Sequence, residues 1–308
     1  MVPADSQRNG YASHLNKRET RLILPLLGLA TGLHFKIYLV ANHLAGLLFF
    51  GLFACLVRRQ TGDAGLAVLS TLAYALSYAG AHFFEDYYLG DGVAIVCLLA
   101  ALVVRRPILI TACVSLAAMT DERAMFASVL GYLYWQFQDC GISQPTFVKL
   151  VRPSKQGLAV IAGWGVFLVW RLGLELCFGL TTGHSDVANW PILIYHAQHY
   201  PSNLLTVYGW LGVLMLMASI SAYLNYGKVV FWVLIFFAVI SAAPAFLVYD
   251  FQRSISFGPS LLIIAFGILA TTEPRLIRLA VATAFIGNLC LLCMPDAILR
   301  LACINWCF

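Results

Sequence analysis

Charge is scarce in this chain. Asp, Glu, Lys and Arg together make up 11% of its 308 residues, against about 25% in soluble domains. Hydrophobic residues reach 61%, where about 45–50% is usual. A soluble core of this size could not hide that much apolar surface, so lipid is the expected solvent for most of the chain. Other things are missing too. There is no Walker A loop, no G-x-G-x-x-G after a strand and no G-x-S-x-G elbow, which argues against an ATP-driven pump or a soluble-type hydrolase. No basic patch is interleaved with aromatics, so nucleic acid is not an expected partner. Heptads, 20–50-residue repeats and low-complexity tracts are absent. No short isolated apolar region with a small-residue cleavage site begins the chain; residues 1–21 read as a basic cytoplasmic arm.

Nine cysteines are present. Most fall within apolar runs, including Cys290 and Cys293 of a C-x-x-C, and buried cysteine behaves as a small hydrophobe. A Cys303–Cys307 disulfide requires an oxidising compartment.

What is there is a series of about eleven apolar runs, near 22–34, 37–57, 64–83, 92–104, 108–120, 124–137, 157–180, 206–225, 229–249, 254–271 and 279–295. They predict an all-α, polytopic transmembrane helical bundle occupying 22–295 as a single domain, with 296–308 as an extracytoplasmic or interfacial tail. Several runs have 13 or 14 residues, short of the about 20 that a ~30 Å hydrocarbon core requires. Such runs are either re-entrant or broken helices, or their flanking charges lie inside the bundle, where charge is costly and functional by default. Let each run cross once from a cytoplasmic N-terminus. Arg58/Arg59, Arg105/Arg106, Lys149/Arg152/Lys155, Lys228 and Arg275/Arg278 then all fall inside, as the positive-inside rule requires. Seven of the 14 acidic residues fall on the opposite face.

That outer face holds the candidate chemistry. Glu85 and Asp86 are adjacent carboxylates with the oxygen chemistry for a divalent cation such as Mg or Mn, or for a general base; the alternative is a polar turn with interfacial tyrosines before Asp91. Asp121, Glu122 and Arg123 are three consecutive ionisable groups in an otherwise uncharged stretch. Arg123 could grip a lipid-linked phosphate, or pair with Asp121 or Glu122. Arg171 and Glu175 lie one helical turn apart, either as an internal ion pair or with Arg171 turned to a cavity. Asp250 and Arg253 mark another outer turn, in which Arg253 binds a phosphate and Asp250 orients it, or the two form a hairpin pair. His196-x-x-His199 with His184 and Asp186 is a weak zinc signal without H-E-x-x-H.

Two segments resemble membrane glycosyltransferases of the GT-C superfold. One runs from Asp91-Gly-Val-Ala through Arg105-Arg106-Pro107 to Thr120-Asp121-Glu122-Arg123, similar to two short apolar helices followed by a polar turn. The other is Asp250-Phe-Gln-Arg253 leading to Pro259. The resemblance spans about residues 60–270. Members usually carry an acidic motif after the first transmembrane helix, where this chain has only His34-Phe-Lys36; Glu85-Asp86 is the nearest substitute, as in a shortened or divergent member. The resemblance implies transfer from a polyprenyl-phosphate sugar at the extracytoplasmic face in envelope polysaccharide assembly, in a bacterial inner membrane. Asp86 or Glu85 would serve as base or metal carboxylate. Arg123 and Arg253 would bind phosphate, with Asp121, Glu122, Asp250, Lys36 and Arg171 around the substrate. Membrane lipid and other membrane subunits are the expected partners. A transporter or flippase of an amphipathic or anionic substrate, and a non-catalytic subunit organising partners, fit the same pattern.

Overall fold

The computed structural model describes residues 23–32, 36–85, 90–140, 150, 152–179, 194, 207–246 and 251–292. Asp86, Asp250, His184, Asp186, His196, His199, Cys293, Cys303, Cys307, the N-terminal arm and the C-terminal tail lie outside these. Among the described residues all regular structure is helical: α1 (Ile23–Thr31), α2 (Lys36–Thr61), α3 (Ala64–Ala75), α4 (Tyr78–Glu85), α5 (Asp91–Val103), α6 (Pro107–Thr120), α7 (Arg123–Ala127), α8 (Val129–Cys140), α9 (Lys155–Phe178), α10 (Leu211–Tyr226), α11 (Lys228–Phe246), α12 (Phe251–Ile255), α13 (Pro259–Thr272) and α14 (Pro274–Leu292). Four of them, α2, α9, α11 and α14, are long and apolar enough to cross a membrane. Large apolar side chains face outward along them, among them Leu47 and Leu48 on α2, Val169 and Leu176 on α9, and Trp232 and Phe236 on α11. Outward apolar faces of this extent suit lipid and not water.

The helices share two ends. At one, Arg59 Nη1 reaches the Leu102 carbonyl near the end of α5 (3.5 Å), Gln60 donates to the Tyr134 hydroxyl on α8 (3.1 Å), and Arg278 at the start of α14 donates to Asp63 between α2 and α3 (3.0 Å). Most of the basic residues of the interhelical turns gather here. At the other end, Asn288 of α14 donates to the Ala73 carbonyl of α3 (2.8 Å) and accepts the Trp210 N–H ahead of α10 (2.9 Å).

Local sequence explains most boundaries. Pro107, Pro259 and Pro274 open α6, α13 and α14, where a missing N–H costs nothing. Ser154 caps α9 by accepting the Gly157 N–H, and Gly179 ends it at φ 62°. The fully buried Gln136 on α8 organises the approach to α9: its amide donates to the Leu150 and Arg152 carbonyls and its oxygen accepts the Ser154 N–H. Among the described residues three apolar runs are divided. Residues 64–85 break into α3 and α4 at Leu76–Ser77, where the Ser77 N–H and hydroxyl both donate to the Tyr74 carbonyl. The run near 124–137 becomes α7 and α8, and the last turn before Pro259 becomes the separate α12. The cysteines also differ from expectation: of the six described, Cys55, Cys177 and Cys290 are exposed and Cys97, Cys113 and Cys140 half-buried. Outward positions in lipid are themselves apolar, so a small hydrophobe needs no burial in protein to be at home there.

Asp63 caps α3. Its carboxylate accepts the Leu66 N–H at 3.0 Å and pairs with Arg278 at 2.9 Å. The Leu66 bond above all, with Arg278 adding to it, holds the carboxyl below its ordinary value of 3.8. A depressed carboxyl stabilises the fold fully above the ordinary value and stops doing so as the pH falls through the folded one. Wild type is therefore expected to be more stable than Asp63→Asn at neutral pH, with the gap closing on acidification below 3.8; unfolding in detergent across that range reads it.

Candidate functional site

Opposite the basic end, four of the described charged side chains, from three separate stretches of sequence, meet in the interior. Asp121 follows α6 in an extended conformation, and its Oδ1 accepts the backbone N–H of Arg123 two residues on (2.9 Å). This local turn aims Arg123 back at the same carboxylate: Nε donates to Oδ1 and Nη2 to Oδ2, both at 2.9 Å. Such two-point pairing is the geometry that guanidinium favours. Nη2 also donates to Asp91 Oδ2 at 3.0 Å, and Nη1 to the Ser254 hydroxyl at 3.2 Å. From α12, Arg253 donates to both Asp91 oxygens, through Nη2 to Oδ1 at 2.8 Å and through Nε to Oδ2. Phe257 presents its ring 4.8 Å from the Arg123 guanidinium carbon, a cation–π distance.

Asp91 is thus the hinge of the network. It opens α5 after Gly90, which takes φ 72°, and a carboxylate in a first turn also meets the positive end of the helix dipole. Its side chain is 2% exposed, that of Asp121 0%, that of Arg123 10% and that of Arg253 11%. Among the described side chains two carboxylates pair with two guanidiniums, which offsets the cost of burying charge in so dry a place.

The network also lies deep. Thr111 and Ser115 on α6 donate to the carbonyls of Ala159 and Gly163 on α9, the same offset of 48 residues each time. The two helices therefore run parallel, and Thr120 stands level with residue 168. α9 continues to Phe178, about 15 Å further at 1.5 Å per residue. α6 itself, at 14 residues, is about 21 Å long.

Beside the network opens a crevice of about 400 Å³, bounded by Leu130, Tyr208, Met215, Ile235, Phe246 and Ile255 among others. Ile255 follows Ser254, the partner of Arg123, so the polar cluster and the apolar crevice share α12 as a wall. Val239 lines the crevice yet is 59% exposed on the outside of α11, so the crevice reaches the bundle's apolar surface. The Tyr208 hydroxyl donates to the Ile255 carbonyl (2.6 Å), joining two walls of the crevice.

Of the residues expected at a site, the structure brings Asp121, Arg123 and Arg253 together. Arg253 holds Asp91, 162 residues away. Glu122 is half-buried at the start of α7 and makes no capping bond. Arg171 is half-buried on α9, less than one turn above the level of Thr120, and Glu175 beyond it is exposed. Lys36 opens α2 and Glu85 closes α4; their side chains lie outside the described ones, as do Asp86 and Asp250 entirely. Among the described residues no three His, Cys, Asp or Glu side chains form a group able to hold a metal ion. Asp91 is the member of the cluster that the sequence does not single out as a site residue. Its one signal is its place: a lone acid heading a 13-residue helix with no other charge.

The chain gives no significant match to any protein-family model, curated protein or solved structure.

Proposed function

We propose that this is a multi-pass membrane protein of the GT-C glycosyltransferase kind, in a bacterial inner membrane, that acts on a polyprenyl-phosphate-linked sugar. The observation that carries this reading is the juxtaposition of a buried Asp91–Asp121–Arg123–Arg253 cluster with an apolar crevice reaching the lipid-facing surface. A ligand with a phosphate and a long hydrocarbon chain needs both surfaces at once. Short helices support the depth: if the basic turn before α6 lies at the headgroups, the about 21 Å of α6 ends roughly 9 Å short of a 30 Å hydrocarbon core. About eleven runs crossing in alternation would place this cluster on the extracytoplasmic side.

In this reading Asp91 and Asp121 keep the arginine forks in place before the substrate arrives. Phosphate oxygens then take over donors from a carboxylate, which strengthens binding as negative charge builds on the leaving group. The acceptor hydroxyl oxygen attacks the anomeric carbon, and its proton passes to Glu85 or Asp86. The bond from that carbon to the phosphate oxygen breaks, and the phosphate leaves with the electron pair. Asp86 or Glu85 would also be the carboxylate for a Mg or Mn ion, should the reaction use one.

The mutual pairing of these four described charges favours one other reading, a non-catalytic subunit in which the network only pins α5, α7 and α12. Binding of a polyprenyl phosphate to purified protein in nanodiscs separates the two. Wild type is expected to bind, and Arg253→Gln to bind at least tenfold more weakly with its fold retained. Ala238→Trp, which fills the crevice, is expected to weaken binding while leaving the ion network whole. If wild type does not bind, the glycosyltransferase reading is lost and the pinning role stands.

A further inference from the structure

The basic end of the bundle holds a second group of arginines, and it is not neutralised as the first is. Arg58 and Arg59 close α2, while Arg105 and Arg106 form the short turn from α5 to α6. Arg59 Nη1 approaches the Leu102 carbonyl (3.5 Å) and its guanidinium lies 5.9 Å from the Trp135 ring centre. Trp135 Nε1 in turn donates to the Ala101 carbonyl (3.1 Å), so both side chains are fixed against the last turn of α5. Leu102, whose carbonyl Arg59 approaches, stands three residues before Arg105, so the end of α2 and the turn from α5 to α6 form one patch.

Among the described residues none of these four arginines makes an ion pair. The described acids at this end are engaged or turned outward: Asp63 is held by Arg278, Asp139 is exposed in the last turn of α8, one turn beyond Trp135, and Glu273 is exposed ahead of α14. The patch also lies at the N-terminus of α6, where Arg106 makes no side-chain cap bond and the helix dipole adds positive potential. Directly below it α6 turns one apolar face outward, through Ile108, Leu109, Ala112 and Leu116. These are spaced as one stripe of a helix.

We propose that this patch is a binding site for an anionic phospholipid of the leaflet at the basic end. The phosphate headgroup lies between Arg59, Arg105 and Arg106, and one acyl chain lies along Ile108, Leu109 and Leu116. Guanidinium forks match phosphate oxygens, and basic pockets between transmembrane helices suit anionic headgroups. The apolar stripe decides between sources of phosphate: a soluble phosphate ester has no use for it, whereas a lipid does. The site is at the opposite end from the Asp91 cluster and does not depend on the function proposed above.

The test is retention of phosphatidylglycerol against phosphatidylcholine by the purified full chain, read by native mass spectrometry. Wild type is expected to prefer phosphatidylglycerol. Arg105→Gln, at an exposed position that should fold normally, is expected to weaken it about fivefold, and the Arg59→Gln/Arg105→Gln pair about 25-fold. Arg105→Lys keeps the charge without the fork and is expected to fall between wild type and Arg105→Gln. Arg275→Gln, an exposed arginine at the same end, is expected to leave retention unchanged. Equal retention of the two lipids by wild type overturns the proposal. So does an equal loss in Arg275→Gln, which would mean diffuse attraction, or displacement by glycerol phosphate at the concentration at which the lipid itself competes.

Discussion

Asp91→Asn is expected to destabilise the bundle by about 3–5 kcal/mol, the usual loss when one partner of a buried ion network is removed. The substitution barely changes shape. What it changes is that Arg253, held by Asp91 through Nε and Nη2, and Arg123, held in part, lose their shared anion in an interior where their side chains are only 10–11% exposed. The double variant Asp91→Asn/Arg253→Gln removes one charge of each sign and is expected to lose less than Asp91→Asn alone, because the guanidinium that Asp91 held through two donors is removed with it. Residues in one network couple strongly, so the two substitutions should not add. Unfolding by denaturant in detergent measures all three proteins. Additive losses, or a double variant worse than the single, would show that Asp91 and Arg253 do not act as a pair. The same experiment bears on function: a polyprenyl phosphate that binds at this cluster should raise the stability of wild type and leave that of Arg253→Gln nearly unchanged.

Gly80→Ala is expected to cost at least 1–3 kcal/mol, and to displace α4. A β-carbon there would stand 2.2 Å from the Tyr74 carbonyl oxygen and 2.7 Å from the Ala75 Cα. Both are backbone atoms, so no side-chain rotation relieves the clash. The Tyr74 oxygen is pinned as well, since it accepts from the Ser77 N–H and hydroxyl. The break between α3 and α4 must open, and Glu85 at the end of α4 moves with it. Gly51→Ala supplies the comparison. That glycine lies inside α2 with nothing within 4 Å of the added carbon, and alanine in a helix interior is favoured by about 0.5–1 kcal/mol. Opposite signs for the two substitutions would establish that the α3–α4 break is a packed joint; equal effects would show it to be a loose one. If Glu85 or Asp86 is the proton acceptor, Gly80→Ala should also lower turnover more than substrate binding.

Much of the architecture is legible in the sequence. The scarcity of charge and the succession of apolar runs point to a helical bundle with lipid as solvent, and the runs at 92–104 and 108–120 nearly match the short α5 and α6. Arg123, Asp121 and Arg253 stand out because an isolated charge in an apolar stretch is costly wherever it sits. Asp91 reads as the end of an acidic turn and the start of a short apolar helix, and nothing local to it says that its partners are 32 and 162 residues away.

Local composition and run length settle the solvent of the chain, its helical state, and the sorting of basic turns from acidic ones, because these act the same whatever the helices pack against. Packing alone sets which charges neutralise each other, how far the cluster lies below the tip of α9, and that an apolar crevice opens beside it. Those depend on the rotation and register of one helix against another. Register is set by close contacts such as Gly163 against Val114, where an added β-carbon would come within 2.8 Å, and hydropathy is blind to it because every face of such a helix is apolar. The same reason explains why two arginine groups that look alike in sequence differ in the fold: Arg123 and Arg253 meet buried carboxylates, while Arg58, Arg59, Arg105 and Arg106 meet none among the described residues and are left for lipid.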